Sequence, residues 1–240
     1  MILNDIAMLA SDTSRTKAYL QEMIRQDILP ELCIVYVESK ENLQSEAKNY
    51  KGEFTFGQYF NDNIPLLVLL EKYALKYIVI ENKDINSEDI INCIGSLSQK
   101  YFIYSGYGGY ILKRKLFELD KKYIHVHAGI LPNYRGSTTA YYSILQEGYM
   151  GATAIFLNEQ IDQGEIIYEK RFELPRDEVD IDYIYEPYTR AKVLSFVLNE
   201  YAKNNIFHSK KQEEKNAEIY FIMHPVLKHL AIEKTHNKGV

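Results

Sequence analysis

Apolar runs of strand length alternate with helix-like segments along the first half of the chain. Leu32–Val37 is a continuous apolar run, as expected for a strand whose two faces are both covered in a parallel sheet. Ser11–Thr13 precedes a segment with apolar residues at helical spacing and offers side-chain oxygens as helix caps. Because strands and helices of this length repeat, we predict an α/β fold with a doubly wound, mostly parallel, Rossmann-like sheet.

The same periodicity places the remaining elements. The predicted strands are Asp5–Ala10, Leu32–Val37, Tyr77–Ile80, Tyr101–Tyr104, Tyr123–Val126, Ala152–Leu157, Glu165–Phe172 and Ile219–Ile222. Predicted helices follow Ser11–Thr13 and Asn86–Ser87, or cover Leu66–Lys76, Ile111–Leu119, Thr138–Glu147, Asp180–Tyr201 (with an interruption at Pro187) and Val226–Ile232. Residues 38–53 and 208–218 are polar without a periodic apolar face, so we predict an irregular loop and an exposed linker there.

Length and composition limit the classes of function. The 240 residues suit one catalytic domain over residues 1–205 with a short C-terminal extension over residues 206–240. A net charge of −5 disfavours nucleic acid as a partner, because binding to phosphates needs a basic surface. The sequence shows no signal-peptide pattern and no apolar run of membrane length. With two isolated cysteines, Cys33 and Cys93, these features predict a cytoplasmic protein without membrane association.

Two histidines and a later aspartate form the pattern that points most directly to chemistry. His125 and His127 lie two residues apart on a predicted strand, so their side chains face the same side of the chain. The strand leads into a turn with Gly129 and Pro132, and Asp162 follows in the segment Ile-Asp-Gln-Gly. A carboxylate beside an imidazole orients the ring and stabilises its charged form. The pattern therefore predicts acid–base catalysis at the carboxyl end of the sheet, where ligands of such folds bind.

The core of this pattern contains no serine or cysteine that could act as an enzyme nucleophile. Direct transfer is therefore favoured, with an external amine or water attacking an activated acyl group. A hydrogen bond donated by a ring N–H of His125 would stabilise the oxyanion that forms on the attacked carbonyl. No His, Cys or Asp spacing in the chain resembles a metal site, so we predict none, although His125 and His127 alone would suit two metal ligands.

Three short motifs resemble the catalytic domain of the 10-formyltetrahydrofolate-dependent formyltransferases. They are the segment from His125 to Gly136, Gly-Ala-Thr-Ala at residues 151–154, and Ile-Asp-Gln-Gly at residues 161–164. The family pattern is Asn-x-His-x-Ser-Leu-Leu-Pro-x-x-Arg-Gly, then Gly-Val-Thr, then Asp-x-Gly. The resemblance covers residues 100–175 well. Over residues 5–100 it is limited to the Rossmann-like spacing of the predicted strands. Each motif alone is weak evidence, but the three in combination are specific for this family.

The resemblance implies a role for each matching residue. His127 and Asp162 match the catalytic histidine and aspartate, and His125 stands where the family has asparagine. That amide donates to the formyl oxygen, which a histidine can do only with a proton on the facing nitrogen. Arg135 pairs with an anionic group of the substrate or with an internal carboxylate, and Tyr134 is a second candidate substrate contact. The positions that match the folate contacts are Ser105, Gly106, Tyr107, Gly108, Gly109, Ile130 and Leu131.

The resemblance also bears on the acceptor. Initiator-tRNA formyltransferases with this domain carry an added C-terminal barrel and a basic surface, whereas residues 173–240 here are mostly one helix, a charged linker and a tail. Small sugar N-formyltransferases, which act on nucleotide-linked amino sugars for surface polysaccharides, are more similar in size. We therefore expect 10-formyltetrahydrofolate as the donor and a small amine, a nucleotide-linked amino sugar, as the acceptor.

Two other functions stay open on the sequence. His125 in place of asparagine is compatible with a binding protein that keeps the fold with altered catalysis. A formyltetrahydrofolate hydrolase, in which water replaces the amine, is the other alternative. The predicted helix 180–201 and the apolar C-terminus are candidate surfaces for a homodimer.

Overall fold

The computed structural model describes residues 1–175, 178–213 and 217–236. The chain divides into two compact units, Met1–His125 and Val126–Val240. Strand β5 (Lys122–His127) is the segment in which the first unit ends and the second begins. The division into a catalytic domain over residues 1–205 and an extension over residues 206–240 stays a prediction.

The first unit is built on parallel strands. They are β1 (Ile2–Ala10), β2 (Leu29–Val37), β3 (Tyr77–Glu81), β4 (Tyr101–Ser105) and the beginning of β5, in the order β3-β2-β1-β4-β5. Strand β1 lies at the centre of this order, with Ala10 opposite Val35 on one side and opposite Ser105 on the other. Residues from Ile6 to Ala10 are fully buried, which is the burial that continuous apolar runs predict for a parallel sheet.

Helices connect these strands. They are α1 (Ser14–Arg25), α2 (Lys40–Asn49), α3 (Leu66–Lys72), α4 (Glu88–Ser96) and α5 (Arg114–Phe117). Thr13 caps α1 with its hydroxyl, which accepts from the N–H of Thr16 at 3.3 Å. The apolar face of α1, with Tyr19, Leu20 and Met23, is buried. The cap and the buried face that the sequence predicts for this helix are therefore confirmed.

Two predictions about the helices of the first unit are wrong. Residues 38–53 contain α2, which begins after the capping hydroxyl of Ser39. Leu43 is the one residue of this helix that is buried, so the sequence of the helix shows no periodic apolar face. Helix α3 ends at Lys72 instead of Lys76, because Ala74 takes a left-handed backbone conformation with φ of 50°.

The second unit begins with the end of β5. Its further strands are β6 (Arg135–Gly136), β7 (Tyr149–Phe156), β8 (Ile166–Glu173) and β9 (Ile219–Tyr220). Strands β7 and β8 are antiparallel, with Gly151 opposite Arg171, and the turn that carries Asp162 joins them as predicted. Strands β6 and β9 form a small parallel pair, with Gly136 opposite Tyr220.

The helices of the second unit are α6 (Thr139–Glu147), α7 (Glu186–Asn204) and α8 (Pro225–His236), and a π-helical turn, Ile181–Tyr185, leads into α7. The predicted stop of α6 at Gly148 is confirmed, because this glycine takes the left-handed conformation with φ of 74°. Pro187 lies in the first turn of α7, where a missing N–H costs no intrahelical hydrogen bond. The irregularity of the predicted helix Asp180–Tyr201 therefore lies in the π-helical turn rather than at Pro187.

The segment predicted as an exposed linker is paired with the rest of the second unit. Lys210 and Ile166 exchange two backbone hydrogen bonds, of 2.8 and 2.9 Å. The carbonyl of Glu218 accepts from the N–H of Arg135 at 3.0 Å. Most of residues 208–213 and 217–218 are exposed as predicted, but Lys210, Gln212 and Glu218 are hydrogen-bonded to the second unit; residues 214–216 and those after residue 236 lie outside the described residues.

The fold class is as predicted from the sequence. Parallel strands dominate, helices flank them, and α1 packs against both β2 and α3. Across the three described ranges, we find no helix with the length and apolar character that crossing a bilayer requires.

Candidate active site

The turn after strand β5 is held by one buried threonine. Thr153 of β7 is fully buried, and its hydroxyl donates to the carbonyl of Gly129 at 2.6 Å. The same oxygen accepts from the N–H of Leu131 at 3.2 Å. The turn that the sequence predicts from Gly129 and Pro132 is therefore fixed to the sheet by its backbone, immediately after His127.

His127, the last residue of β5, is almost completely buried, with 5% of its surface exposed. Its Nε2 lies 2.6 Å from the carbonyl oxygen of Tyr134 and 3.2 Å from the hydroxyl of Thr139. A carbonyl oxygen can only accept, so Nε2 carries a proton. The Thr139 hydroxyl donates to the carbonyl of Ala128 at 2.6 Å, which leaves its lone pairs facing Nε2. In the neutral ring, Nδ1 is then the nitrogen that carries the lone pair.

Asp162 faces this second nitrogen. Its Oδ1 lies 3.4 Å from Nδ1 of His127, and its Oδ2 accepts from the N–H of Gly136 at 2.8 Å. The backbone of Asp162 is left-handed, with φ of 55°, a conformation in which aspartate is enriched among non-glycine residues. The structure thus brings together the imidazole and the carboxylate that the sequence pairs, although they lie 35 positions apart in the numbering.

Two glycines of the motifs are required by close packing around Asp162. A Cβ on Gly164 would lie 1.6 Å from the carbonyl oxygen of Phe156, and a Cβ on Gly136 would lie 2.1 Å from that of Tyr220. Gly136 also has φ of 101°, which strongly favours glycine. The backbone on both sides of the carboxylate is therefore packed directly against backbone.

Gln212 also belongs to this site, and like Thr139 and Thr153 it is not among the site residues predicted from the sequence. Its Nε2 donates to the carbonyls of Asp162 and Gly164, both at 2.8 Å. Its Oε1 accepts from Arg135, from Nε at 3.1 Å and from Nη2 at 2.8 Å. Gln212 lies in a polar stretch with no motif and no periodicity, so the sequence carries no signal for this contact.

The two predicted substrate contacts, Tyr134 and Arg135, are both buried, with 2% and 3% of their surfaces exposed. The Tyr134 hydroxyl shares its one hydrogen between a carboxylate oxygen of Glu147, at 2.7 Å, and the amide oxygen of Gln146, at 2.9 Å. Burial, with the Glu147 carboxylate beside it, raises the pKa of this hydroxyl. Tyr134 therefore contributes its carbonyl to His127, and the contact of both residues with a substrate stays a prediction.

The predicted folate contacts Ile130 and Leu131 are nearly covered by protein, with 7% and 2% of their surfaces exposed. Leu131 packs in a small apolar cluster with Ile155 and Ile166. The structure thus assigns Leu131 a packing role, and a role in folate binding stays a prediction for both residues.

The predicted glycine-rich loop after β4 has a fixed beginning and an open end. Ser105 is fully buried, and its carbonyl accepts from Ser11, from N–H at 3.0 Å and from Oγ at 2.8 Å. The carbonyl of Gly106 accepts from the guanidinium of Arg15. The Cβ positions of Gly108 and Gly109 meet nothing within 4 Å, so a ligand can approach the backbone there.

Tyr107, in the same loop, is surrounded by aromatic rings. Its ring lies 5.9 Å from that of Tyr36, edge to face, and 6.2 Å from that of Tyr110. The Lys83 ammonium lies 5.2 Å from its centroid, and burial raises the pKa of its hydroxyl. These contacts fix one ring at the border of the open part of the loop.

His125, the third predicted catalytic residue, is half-buried in β5, and its ring lies 5.9 Å from that of Tyr104. Burial raises the pKa of the Tyr104 hydroxyl, which donates to the carbonyl of Tyr110 at 2.9 Å. The catalytic role of His125 stays a prediction. The described ranges contain no cluster of three or more His, Cys, Asp or Glu side chains that could hold a metal ion.

Comparison with known proteins shows which family combines these features. A family model described as formyl transferase matches residues 5–190, well over half of the chain. The chain belongs to the formyl transferase family. The matched range includes both members of the His127–Asp162 pair and ends before Gln212.

Other formyltransferases resemble this family member in sequence or in fold. A methionyl-tRNA formyltransferase of Finegoldia magna is 30% identical over 176 residues, which are 72% of this chain and 53% of that protein. The chain thus spans about half the length of this curated relative.

Two solved structures share the fold. A 4-N formyltransferase from Francisella tularensis has a TM-score of 0.58 at 16% identity. The match covers 98% of this chain and 90% of the Francisella chain. The N-formyltransferase of Helicobacter canadensis, in complex with folinic acid and dTDP-3-aminofucose, has a TM-score of 0.52 at 17% identity. The match covers 92% of this chain and 71% of the Helicobacter chain.

Proposed function

We propose that this protein is an N-formyltransferase that moves the formyl group of 10-formyltetrahydrofolate to the amine of a small acceptor, a nucleotide-linked amino sugar. The observation that carries the proposal is the pairing of Nδ1 of His127 with Asp162 at 3.4 Å, in a chain of the formyl transferase family. Acyl transfer to an amine needs a group that takes the proton of the attacking nitrogen, and this pair supplies one.

The geometry supports a particular path for that proton. Nε2 of His127 donates to a backbone carbonyl and cannot act as a base, so Nδ1 accepts the proton from the amine. The Asp162 carboxylate then stabilises the imidazolium, and the imidazolium returns the proton to the folate nitrogen when the bond between that nitrogen and the formyl carbon breaks.

The proposed donor, when bound, supplies an activated one-carbon acyl group. Within the first unit, the open backbone at Gly108 and Gly109 beside the ring of Tyr107 fits a flat heterocyclic ligand. In the family pattern an asparagine donates to the formyl oxygen, and we propose that His125 takes this role through a ring N–H.

Two features support a small acceptor. The net charge of −5 disfavours the phosphate-rich surface of tRNA. One solved structure that shares the fold, the N-formyltransferase of Helicobacter canadensis, is in complex with dTDP-3-aminofucose, which is a nucleotide-linked amino sugar. The proposed cytoplasmic location, the absence of nucleic-acid and membrane partners, the homodimer and the link to polysaccharide synthesis remain predictions from the sequence.

The test is a formylation assay with purified protein and 10-formyltetrahydrofolate. Nucleotide-linked 3-amino and 4-amino sugars are offered as acceptors, with initiator methionyl-tRNA as a comparison, and products are identified by mass. We expect a formylated sugar, and His127→Ala is expected to lower kcat by about 10²- to 10⁴-fold because it removes the base. His208→Ala is the matched control, since this histidine is exposed and lies outside the site.

The same assay separates the alternatives. Formylation of tRNA alone would refute the proposed acceptor but keep the reaction. Formate released without any amine would indicate a hydrolase. Folate binding without turnover, unchanged in His127→Ala, would indicate a binding protein and refute the proposed catalysis.

A further inference from the structure

The chain returns to the candidate active site after the range that the family model matches. We name residues 209–213 and 217–223 the return segment. Its backbone hydrogen bonds include those of Lys210 with Ile166 at 2.8 and 2.9 Å, Glu218 with Arg135 at 3.0 Å, Tyr220 with Ser137 at 2.9 Å, and Phe221 and Met223 with the Thr138 hydroxyl at 3.3 and 2.9 Å. The partners of the return segment flank both Asp162 and the strand β6 that donates to it.

The side chain of Gln212 contacts the backbone of Asp162 itself. The two N–H groups of its amide are used by the carbonyls of Asp162 and Gly164. The two lone pairs of its oxygen are used by the Arg135 guanidinium. A primary amide offers two donors and two acceptor sites, so every polar position of this side chain is occupied by protein.

We propose that Gln212 is a positioning residue for the reaction, which holds the Asp162 carboxylate at its distance from His127. This inference rests on the proposed function. Because its hydrogen-bonding capacity is filled, Gln212 has no group left for a substrate and acts through Asp162. The left-handed backbone of Asp162 needs such support, since this conformation costs more than the ordinary helical or extended one.

The contact requires an amide and not merely a polar side chain of the same size. In Gln212→Glu, one carboxylate oxygen can still accept from Arg135, but the other faces two carbonyl oxygens at the positions now 2.8 Å from Nε2. Acceptors facing each other repel, so the Asp162 turn is released although the side chain keeps its shape. Gln212→Ala releases the turn by deletion.

The kinetic test uses the full chain with Gln212→Glu and Gln212→Ala, and Lys211→Ala as the exposed control from the same segment. We expect kcat to fall by up to about 100-fold in both Gln212 variants with KM for the donor unchanged, because misplacement by about 1 Å has costs of this size. In an Asp162→Asn background, Gln212→Ala is expected to have no further effect on kcat. Wild-type kcat in Gln212→Glu, or a full additional loss in the double variant, would overturn the inference.

A second readout does not depend on activity. The N–H of Gly136 donates to Asp162, so its hydrogen exchange reports whether the carboxylate stays in place. We expect exchange at Gly136 to be faster in both Gln212 variants and unchanged in Lys211→Ala; equal exchange in all of them overturns the inference. A wild-type protein that transfers no formyl group would refute the proposed function, and this exchange measurement would still decide the role of Gln212.

Discussion

Gly164→Ala is the substitution that tests the packing of the Asp162 turn most directly. The added Cβ would lie 1.6 Å from the carbonyl oxygen of Phe156, where no real contact of this kind occurs. Neither backbone can yield freely, because the N–H of Phe156 donates to Glu165 at 3.0 Å and the carbonyl of Gly164 accepts from Gln212 at 2.8 Å. The turn must therefore move by more than about 1 Å before the new Cβ and the carbonyl oxygen of Phe156 are at an ordinary van der Waals distance.

The size of the effect follows from the contacts that this movement breaks. Loss of the two hydrogen bonds costs about 0.5–1.5 kcal/mol each, so we expect the free energy of unfolding to fall by about 1–3 kcal/mol. Asp162 lies two residues from the added methyl group, and its displacement relative to His127 is expected to lower kcat by about 100-fold. The loss of activity should therefore exceed what partial unfolding explains.

The measurements are urea denaturation and the formylation assay. Gly95→Ala is the matched control, since its Cβ would meet only a leucine methyl group at 3.5 Å inside helix α4. This control is expected to keep or slightly raise stability, because alanine is favoured over glycine in helices. If Gly164→Ala unfolds within about 0.5 kcal/mol of the wild type and keeps its kcat, the packing argument for the turn is refuted.

Two further predictions concern stability. Thr153→Val leaves the buried carbonyl of Gly129 and the N–H of Leu131 without their hydroxyl partner, so we expect the free energy of unfolding to fall by about 2–4 kcal/mol in urea denaturation. Thr153→Ser keeps the hydroxyl and is expected to keep most of the wild-type stability. Equal stability of the two variants would contradict the role of the hydroxyl. Burial raises the pKa of the Cys33 thiol from 9.0 to about 12, so the folded state holds this proton more tightly than the unfolded state does. The free energy of unfolding therefore falls as pH rises above about 9, where the thiol of the unfolded chain loses its proton. The urea midpoint is expected to fall between about pH 9 and pH 11, and by less in Cys33→Ala; parallel curves would exclude this thiol as a cause.

The sequence predicted the parts of the fold that depend on local patterns. Buried parallel strands such as Leu32–Val37 are apolar throughout, and α1 has both a capping residue and an apolar face. Helix α2 was missed because it buries only Leu43. Local patterns are strong where an element is covered by the core and weak where it lies on the surface.

The candidate site was predictable to the extent that its residues form short motifs. His127, Asp162 and the turn between β5 and β6 belong to segments of a few residues, and the structure brings them together. Gln212 could not be predicted, because its partners Asp162 and Arg135 lie 50 and 77 positions away and its neighbours carry no pattern. The orientation of the His127 ring was likewise open, since it depends on the carbonyl of Tyr134.

The parallel pairing of β6 with β9 has a consequence for the order in which the protein matures during synthesis. Residues 135–136 leave the ribosome long before residues 219–220, so their edge has no partner from β9 while the intervening chain is being made. His127 and Asp162 are present in that nascent chain, but Gln212 and Tyr220 are not. These contacts of the candidate site therefore form only after Gln212 and Tyr220 have been synthesised, and a nascent chain that stops before them carries the motif without the contacts that hold it.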